Sequence, residues 1–511
     1  MFPVDQKTLS RRHQANRCLI TFLHFHQTPF RIFAAAVAKT TACACVLLFL
    51  AFALHAQQST RPNIVFILAD DLGYGDLSCY GQKRFQTPNI DGLAAQGMKF
   101  TSHYAGAPVC APSRSALMTG LHTGHTFVRG NREVEPEGQW PLPADAVTLT
   151  GMMKSQGYVT GVFGKWGLGS PGSEGAPEHQ GVDVFYGYNC QRLAHNYYPA
   201  HLWDNARKVM LEGNVDKNKH EYAPQLIHRK ALQFLEDHKD TTFFLYYPMI
   251  FPHAELAAPE EYMAMFRGKL LPEKNFQGVD EGARFRRGPY GSQPESHAAF
   301  AAMVRLMDDQ VGEVMNKIAA LGLDENTLVI FSSDNGPHVE GGGDPDYFDS
   351  NGILRGYKRD VYEGGIRVPM IARWKGTIKP GTVTDHVSAF WDIMPTLADL
   401  LKIKLSNKTD GISFLPTLRG QPKKQKQHDH LYWEFHELGG RMCLRQGDWK
   451  LVWYNVDKNP QGKPELYNLR QDSSEKNDLA EKLPKKVEAL KKIMLSDRVP
   501  SEAFPFAFEK P

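Results

Sequence analysis

A chain of 511 residues, 42% hydrophobic and 23% charged, has the composition of a globular protein with a large buried core. Its length accommodates one large domain and a smaller one. The formal net charge is only +3 and no long basic run is present, so nothing in the composition points to nucleic acid as a partner.

In chain order, the first element is a leader. Arg11, Arg12, Arg17, Arg31 and Lys39 precede an apolar run at 42–54, which the small Ala56 and polar Gln57, Gln58 and Ser59 follow. A basic region, a hydrophobic region and a small-residue cleavage site make an export signal. Residues 1–56 are therefore expected to be removed and the mature protein to be periplasmic or extracellular. The run is short for a bilayer span, so no stable membrane span is expected after leader removal; a retained anchor is the alternative. Three of the seven cysteines, Cys18, Cys43 and Cys45, fall in this leader. Cys79, Cys110, Cys190 and Cys443 are too scattered for a disulfide framework.

Continuous apolar runs then recur at 63–68, 159–163, 243–247, 328–332 and 368–372. Runs of this length suit strands buried on both faces. Helical patterns lie between them at 148–156, 223–238 and 298–321, the last with Ala302, Leu306, Val311, Val314 and Ile318 at core-facing spacing. The alternation predicts an α/β fold, a large mostly parallel sheet sandwiched by helices. A lysine-rich polar stretch at 419–430 marks a boundary between a large domain, 57–425, and a C-terminal subdomain, 426–511. Short strands at 431–435, 440–445, 449–455 and 465–468 and a final charged helix near 482–495 give that subdomain an antiparallel α+β character.

Polar groups follow directly after the predicted strands: Asp70 and Asp71, Lys165, His253, and Asp334 with Asn335. In parallel α/β sheets, ligands bind beyond the carboxyl ends of the strands. Four strands thus deliver these groups to one edge. Asp70, Asp71, Asp334 and Asn335 are hard oxygen donors, which indicate Ca²⁺ or Mg²⁺ rather than zinc. Asp-Asp and Asp-Asn-Gly are also turn formers; it is the repetition after two buried strands that favours a metal.

Residues 108–120 read Pro-Val-Cys-Ala-Pro-Ser-Arg-Ser-Ala-Leu-Met-Thr-Gly. By itself, Cys110 could be a buried thiol before a helix with Pro112 in its first turn. The pattern Cys-x-Pro-Ser-Arg followed by Thr-Gly resembles the signature of type I sulfatases in the alkaline-phosphatase-like superfamily. The resemblance runs from about 60 to 420. It is carried also by Asp70-Asp71-Leu72-Gly73-Tyr74-Gly75-Asp76, Gly164-Lys165-Trp166, Pro252-His253, Ser333-Asp334-Asn335-Gly336, Gly356-Tyr357-Lys358 and Glu363-Gly364-Gly365-Ile366-Arg367-Val368-Pro369.

The resemblance implies a sulfuric ester hydrolase in which Cys110 is oxidised to formylglycine by a maturase. Asp70, Asp71, Asp334 and Asn335 would hold the metal, usually calcium, together with residue 110. Arg114 would contact residue 110 and balance the metal ligands. Lys165 and Lys358 would bind sulfate oxygens, and His253 would serve the leaving-group oxygen. Two positions depart from the family. Gly167 replaces a histidine that normally contacts the formylglycine hydroxyl, and Phe251 replaces another before Pro252-His253. His122 and His125 are nearby in sequence, either as replacements or as loop-capping residues.

Two stretches bear on substrate. Residues 188–199, with Arg192 and His195, are dense in aromatic and hydrogen-bonding groups, and 335–343, with His338, follow the metal ligands. Such groups suit sugar rings, and both stretches resemble bacterial sulfatases of sulfated glycans, some with galactose-configured substrates. Glu434 and His436 could also line the pocket. The expected function is exo-acting removal of sulfate from a sulfated carbohydrate. A phosphonate monoester hydrolase or phosphodiesterase of the same superfamily, and a non-catalytic glycan-binding relative, are the competing classes.

Overall fold

The computed structural model describes residues 61–509; the leader expectation lies outside them. Eleven strands form the large sheet. They are β1 (Asn63–Ala69), β2 (Met98–Tyr104), β3 (Val159–Lys165), β4 (Val184–Tyr188), β5 (His201–Asp204), β6 (Arg207–Met210), β7 (Phe243–Pro248), β8 (Thr327–Ser333), β9 (Arg367–Arg373), β10 (Thr382–Thr384) and β11 (Ser388–Ala389). The order is β10-β2-β9-β8-β1-β7-β3-β4-β5-β6, with β11 beside β2. The central five, β8-β1-β7-β3-β4, are mutually parallel. Their carboxyl ends therefore share one edge.

The apolar runs are explained by burial on both faces. Along β1, Val65, Ile67 and Ala69 join one hydrophobic cluster while Ile64, Phe66 and Leu68 join the other. The first cluster is completed by helices Ala223–Asp237 and Ser296–Ala320. Ala302, Leu306, Val311, Val314 and Ile318 are all buried there, as their spacing predicts. The second cluster takes in helices Leu149–Ser155 and Ile393–Leu400.

One apolar run departs from the parallel pattern. β9 is antiparallel to both β8 and β2. A parallel return needs a crossover to the opposite edge, usually a helix. The β8–β9 connection carries only two four-residue helices, Pro345–Phe348 and Glu363–Ile366. It stays at the carboxyl edge and re-enters the sheet there, which leaves the 355–360 loop over the site.

The second sheet is antiparallel, in the order β12 (Leu431–Phe435), β13 (Arg441–Gln446), β14 (Trp449–Tyr454), β15 (Glu465–Asn468). Tyr432, Met442, Leu444 and Leu451 on one face meet Leu490 and Met494 of helix Pro484–Ser496. On the other face, Trp433, Phe435, Cys443 and Val452 share a cluster with Tyr104, Val109, Ala116 and Trp391 of the large domain. The described residues accordingly belong to one compact unit, with no break at the lysine-rich stretch. Cys79, Cys110, Cys190 and Cys443 are all unbridged.

Trp433 joins the two sheets, fully buried, with Nε1–H donating to the Ala105 carbonyl at 2.9 Å. Trp433→Ala is expected to cost about 3–5 kcal/mol of stability, read as a lower urea midpoint at unchanged slope. A midpoint equal to wild type would refute this role.

Candidate active site

The carboxyl edge gathers the groups that follow the strands. Asp70 and Asp71 leave β1 through a sharp turn, Asp71 having a left-handed φ of 64°. Asp70 N–H donates to the Phe251 carbonyl at 2.7 Å, and Asp71 N–H to Asp334 Oδ1 at 3.1 Å. These bonds tie the exits of β1, β7 and β8 together. His253 is held from behind by Tyr197, whose hydroxyl donates to the carbonyls of Ile250 at 2.7 Å and His253 at 2.9 Å.

Cys110 starts helix Cys110–Thr119, so the partial positive charge of the helix N-terminus faces the same edge. Ser113 Oγ donates to the Asp334 carbonyl at 2.5 Å and accepts from Gly106 N–H at 3.0 Å. Ala111 N–H donates to Asn131 Oδ1 at 3.0 Å. The 355–360 loop is fixed by Lys358 N–H to the Pro337 carbonyl and Arg359 N–H to the Pro108 carbonyl, both at 2.8 Å.

Three buried carboxylates face three buried cations. Arg114 Nη2 reaches Asp70 Oδ2 at 3.1 Å and Asp334 Oδ2 at 2.8 Å, and Nη1 donates to the Lys165 carbonyl at 2.6 Å. Lys165 Nζ lies 2.6 Å from Asp70 Oδ2. Lys358 Nζ lies 2.8 Å from Asp71 Oδ2 and 3.0 Å from Glu340 Oε2, and donates to His253 Nε2 at 3.0 Å.

The ionisation of each group follows. Burial opposes the charge of Asp70, but the neighbouring cations, Lys165 and Arg114, outweigh it and hold the carboxyl below its ordinary value. Burial is likewise outweighed at Asp71 by Lys358 and His338. At Asp334 burial wins, reinforced by the Asp70 charge, and pushes the group up to about 6. Burial, then Lys358 and Lys165, drive His253 well below the usual imidazole value, so it is neutral. Its Nδ1–H donates to the Ala254 carbonyl, leaving Nε2 as the acceptor. Burial and the Asp70 charge push the Cys110 thiol well up. It is a protonated donor, 3.4 Å from Asp70 Oδ1, and not a thiolate nucleophile.

The donor set fits a hard divalent cation. Asp70, Asp71 and Asp334 converge, and Asn335 adds an amide oxygen. Asn335 Nδ2 donates to Asp71 Oδ1 at 2.7 Å, while its Oδ1 is buried with no partner. A buried oxygen left without a donor beside three carboxylates is what a cation would satisfy. Ligand atoms of Asp70, Asp71, Cys110 and His253 lie within 4.8 Å of one another.

The remaining sequence candidates divide. His195 stacks on His253 with ring centroids 5.0 Å apart, and its Nδ1–H donates to the Gly288 carbonyl at 2.8 Å. His338 also flanks His253, but both its ring nitrogens are engaged, Nε2 with the Pro252 carbonyl and Nδ1 with the backbone of Glu340. Arg192 is paired with Glu133 and Glu135. His122 and His125 lie apart from this cluster, against Asp410 and, for His122, Asp497. Glu434 is fully buried between Arg129, Arg498 and His436, so it is not free for a ligand; His436 spends Nε2 on Glu434 and keeps a buried, unpartnered Nδ1. Glu340 and Tyr290 escaped the sequence reading: Glu340 accepts from Lys358 and from the Tyr290 hydroxyl at 3.0 Å, and pairs with Arg359. No spacing in the sequence marks that contact.

Residues 62–403 match the Sulfatase family model, and 355–499 match the model of the N-sulphoglucosamine sulphohydrolase C-terminal region. The chain is similar to arylsulfatase A of Homo sapiens, 33% identical across 88% of this chain and 90% of that protein. It is similar to an N-acetylgalactosamine-6-O-sulfatase of Bacteroides thetaiotaomicron, 29% identical across 86% of this chain and 94% of that one. Among solved structures, Ps i-CgsB in complex with k-i-k-neocarrahexaose gives a TM-score of 0.70 at 26% identity, covering 86% of this chain and 94% of that one.

Asp76 closes the Asp70–Asp76 turn by accepting from Gly73 N–H at 2.7 Å, and burial pushes it up to about 7. A carboxyl that is raised in the fold stabilises it at low pH, and that stability drains away as pH climbs from about 4 through 7. Asp76→Asn keeps an acceptor and does not titrate. Its stability relative to wild type is therefore expected to rise between pH 5 and pH 8, by on the order of 1–3 kcal/mol. A difference independent of pH in denaturant titrations would overturn the assignment.

Proposed function

This chain belongs to the sulfatase family and is a sulfuric ester hydrolase, and from that premise we propose that it removes sulfate from a sulfated carbohydrate. In this reading residue 110 acts as formylglycine beside a divalent cation, calcium before magnesium. The observation that carries it is the placement of Cys110 Sγ 3.4 Å from Asp70, with Lys165 and Lys358 also ion-paired to the adjoining Asp70 and Asp71. The cation, held by Asp70, Asp71, Asp334 and Asn335 with residue 110, would polarise the sulfuryl oxygens. A hydrated aldehyde supplies one hydroxyl to attack sulfur and a second whose deprotonation expels sulfate, a release that serine lacks.

The protein's own groups prepare that chemistry. Lys165 and Lys358 bring positive charge to the oxygens of an anionic ester in a water-poor cleft. Arg114 keeps Asp70 and Asp334 ionised and in place. His253 presents Nε2 to the site, hydrogen-bonded by the Lys358 ammonium. With its proton on Nδ1, His253 fixes the Lys358 ammonium, which is the donor available to the leaving oxygen.

For substrate, we favour a galactose-configured sugar attacked from its chain end. The relative named N-acetylgalactosamine-6-O-sulfatase supports the sugar class. His195 supports it locally: Nδ1 is spent on Gly288, which leaves Nε2 for a sugar hydroxyl. Arg192 and His338 would frame the same region. We read residues 57–425 as the catalytic domain and 426–511 as a subdomain buttressing it. The basic–apolar segment within 1–56 supports export, and Cys110 calls for a formylglycine-generating maturase.

Two outcomes test the reading. Cys110→Ala is expected to abolish sulfate release from a panel of sulfated mono- and disaccharides while retaining the wild-type thermal midpoint. The wild type is co-produced with a maturase, its conversion at 110 confirmed by peptide mass. Sulfate release by Cys110→Ala, or turnover of phosphate esters alone by wild type, would refute the mechanism or the class. Secondly, Ca²⁺ at a hundredfold excess over its dissociation constant should stabilise wild type by about 2.7 kcal/mol relative to chelator. Asp71→Asn is expected to lose that increment; an equal calcium response in the variant would remove Asp71 from the metal site.

A further inference from the structure

Buried amides are almost always hydrogen-bonded, because withdrawing one from water without new partners is costly. Gln191 is an exception. It is 4% exposed, and neither Nε2 nor Oε1 has a partner. Its backbone is not loose: Gln191 N–H donates to Gln139 Oε1 at 3.0 Å, and the adjoining Arg192 is paired with Glu133 and Glu135.

The Gln191 carboxamide lies against Gly167. A Cβ built on Gly167 would meet Gln191 Nε2 at 2.5 Å and Cδ at 3.1 Å. Gly167 also has a φ of +74°, a conformation L side chains rarely adopt. Gln191 therefore fills the space where a side chain at 167 would begin.

That space adjoins the site. β3 ends at Lys165, whose Nζ reaches Asp70 and whose carbonyl accepts from Arg114. Trp166 turns the other way into the core, its Nε1–H donating to the Gly175 carbonyl at 2.8 Å. Gly167 follows Lys165 by two residues, just beyond the end of β3. Gly167 N–H is held by the Asn189 carbonyl at 3.0 Å. Four residues beyond Gln191, His195 stacks on His253, so the 189–195 loop runs along the wall of the site.

We propose that Gln191 is a positioning residue whose side-chain amide hydrogen-bonds the oxygen-bearing group at residue 110 during turnover. This rests on the sulfatase reading above and adds a residue to it. A carboxamide offers two donors and one acceptor without charge. It can hold a hydroxyl in one orientation and leave the balance of three carboxylates and three cations undisturbed. An oxygen-bearing group at 110 would give those unpartnered atoms a partner.

The test is Gln191→Met, which keeps the volume and deletes the polar atoms. No hydrogen bond within the fold is lost, so its thermal midpoint is expected to equal or exceed wild type. Its kcat is expected to fall about 10–100-fold on an aryl sulfate and on a sugar sulfate alike, the loss of a hydrogen bond to a developing charge, with KM little changed. Gly167→His alone should also lose activity through collision with Gln191. The double variant Gly167→His/Gln191→Gly makes room and is expected to recover part of the kcat. Unchanged kcat in Gln191→Met, a KM rise confined to the sugar sulfate, or a lowered midpoint that accounts for the lost activity would each overturn the role. Wild type that is inactive with residue 110 converted would refute the sulfatase mechanism itself; wild type that is active and matched by Gln191→Met refutes only the role of Gln191.

Discussion

Arg114 is the contact on which the site depends. One guanidinium, 1% exposed, touches Asp70 and Asp334 and caps the end of β3 through the Lys165 carbonyl. Carboxylates sealed from water repel each other and resist ionising; the rise of Asp334 to about 6 shows that the balance is incomplete even with Arg114 in place. The same helix that carries Arg114 begins with Cys110. The counter-charge and the reactive position are thus parts of one rigid element, and neither can shift without the other.

The sheet sets where that element must dock. Parallel central strands put every exit on one edge, and β1 lies between β8 and β7 so that Asp70 and Asp71 sit at its middle. The antiparallel return of β9 keeps its preceding loop over that edge and brings Lys358 to Asp71 from above. Lys165 approaches Asp70 from β3. Each aspartate at the β1 exit thereby receives its own lysine, and the two lysines arrive from two separate segments.

The sequence carried much of this in two kinds of signal. Strands buried on both faces announce themselves as unbroken apolar runs, and the polar residues just beyond them locate the edge. β2 carried no such signal: Met98–Tyr104 alternates half-exposed Lys99 and Thr101 with buried residues and reads as an ordinary polar segment. The direction of β9 is equally invisible in its residues, because the length and helicity of the connection decide it. At the site, Asp70, Asp71, Asp334 and Asn335 were legible because they directly follow buried strands, and Cys110 only through the motif it resembles. Glu340 and Gln191 act across folded loops, Glu340 on a lysine eighteen positions away and Gln191 against a glycine. His338 shows the converse: its position in the chain suggested a ligand contact, but its two nitrogens are engaged by backbone groups.

The state of Cys110 constrains how such an enzyme could be made. In the folded protein its side chain is 1% exposed and its thiol is held protonated by burial and by Asp70. A buried, protonated thiol is inert to oxidants and closed to another enzyme. On the proposed formylglycine reading, the folded structure closes residue 110 to that conversion. Conversion would have to precede closure of helix Cys110–Thr119 onto Asp334. Ser113 and Arg114, three and four residues along, supply that closure through the Asp334 carbonyl and carboxylate. On that reading, any maturase would have to act on the segment before Ser113 and Arg114 seal it against Asp334.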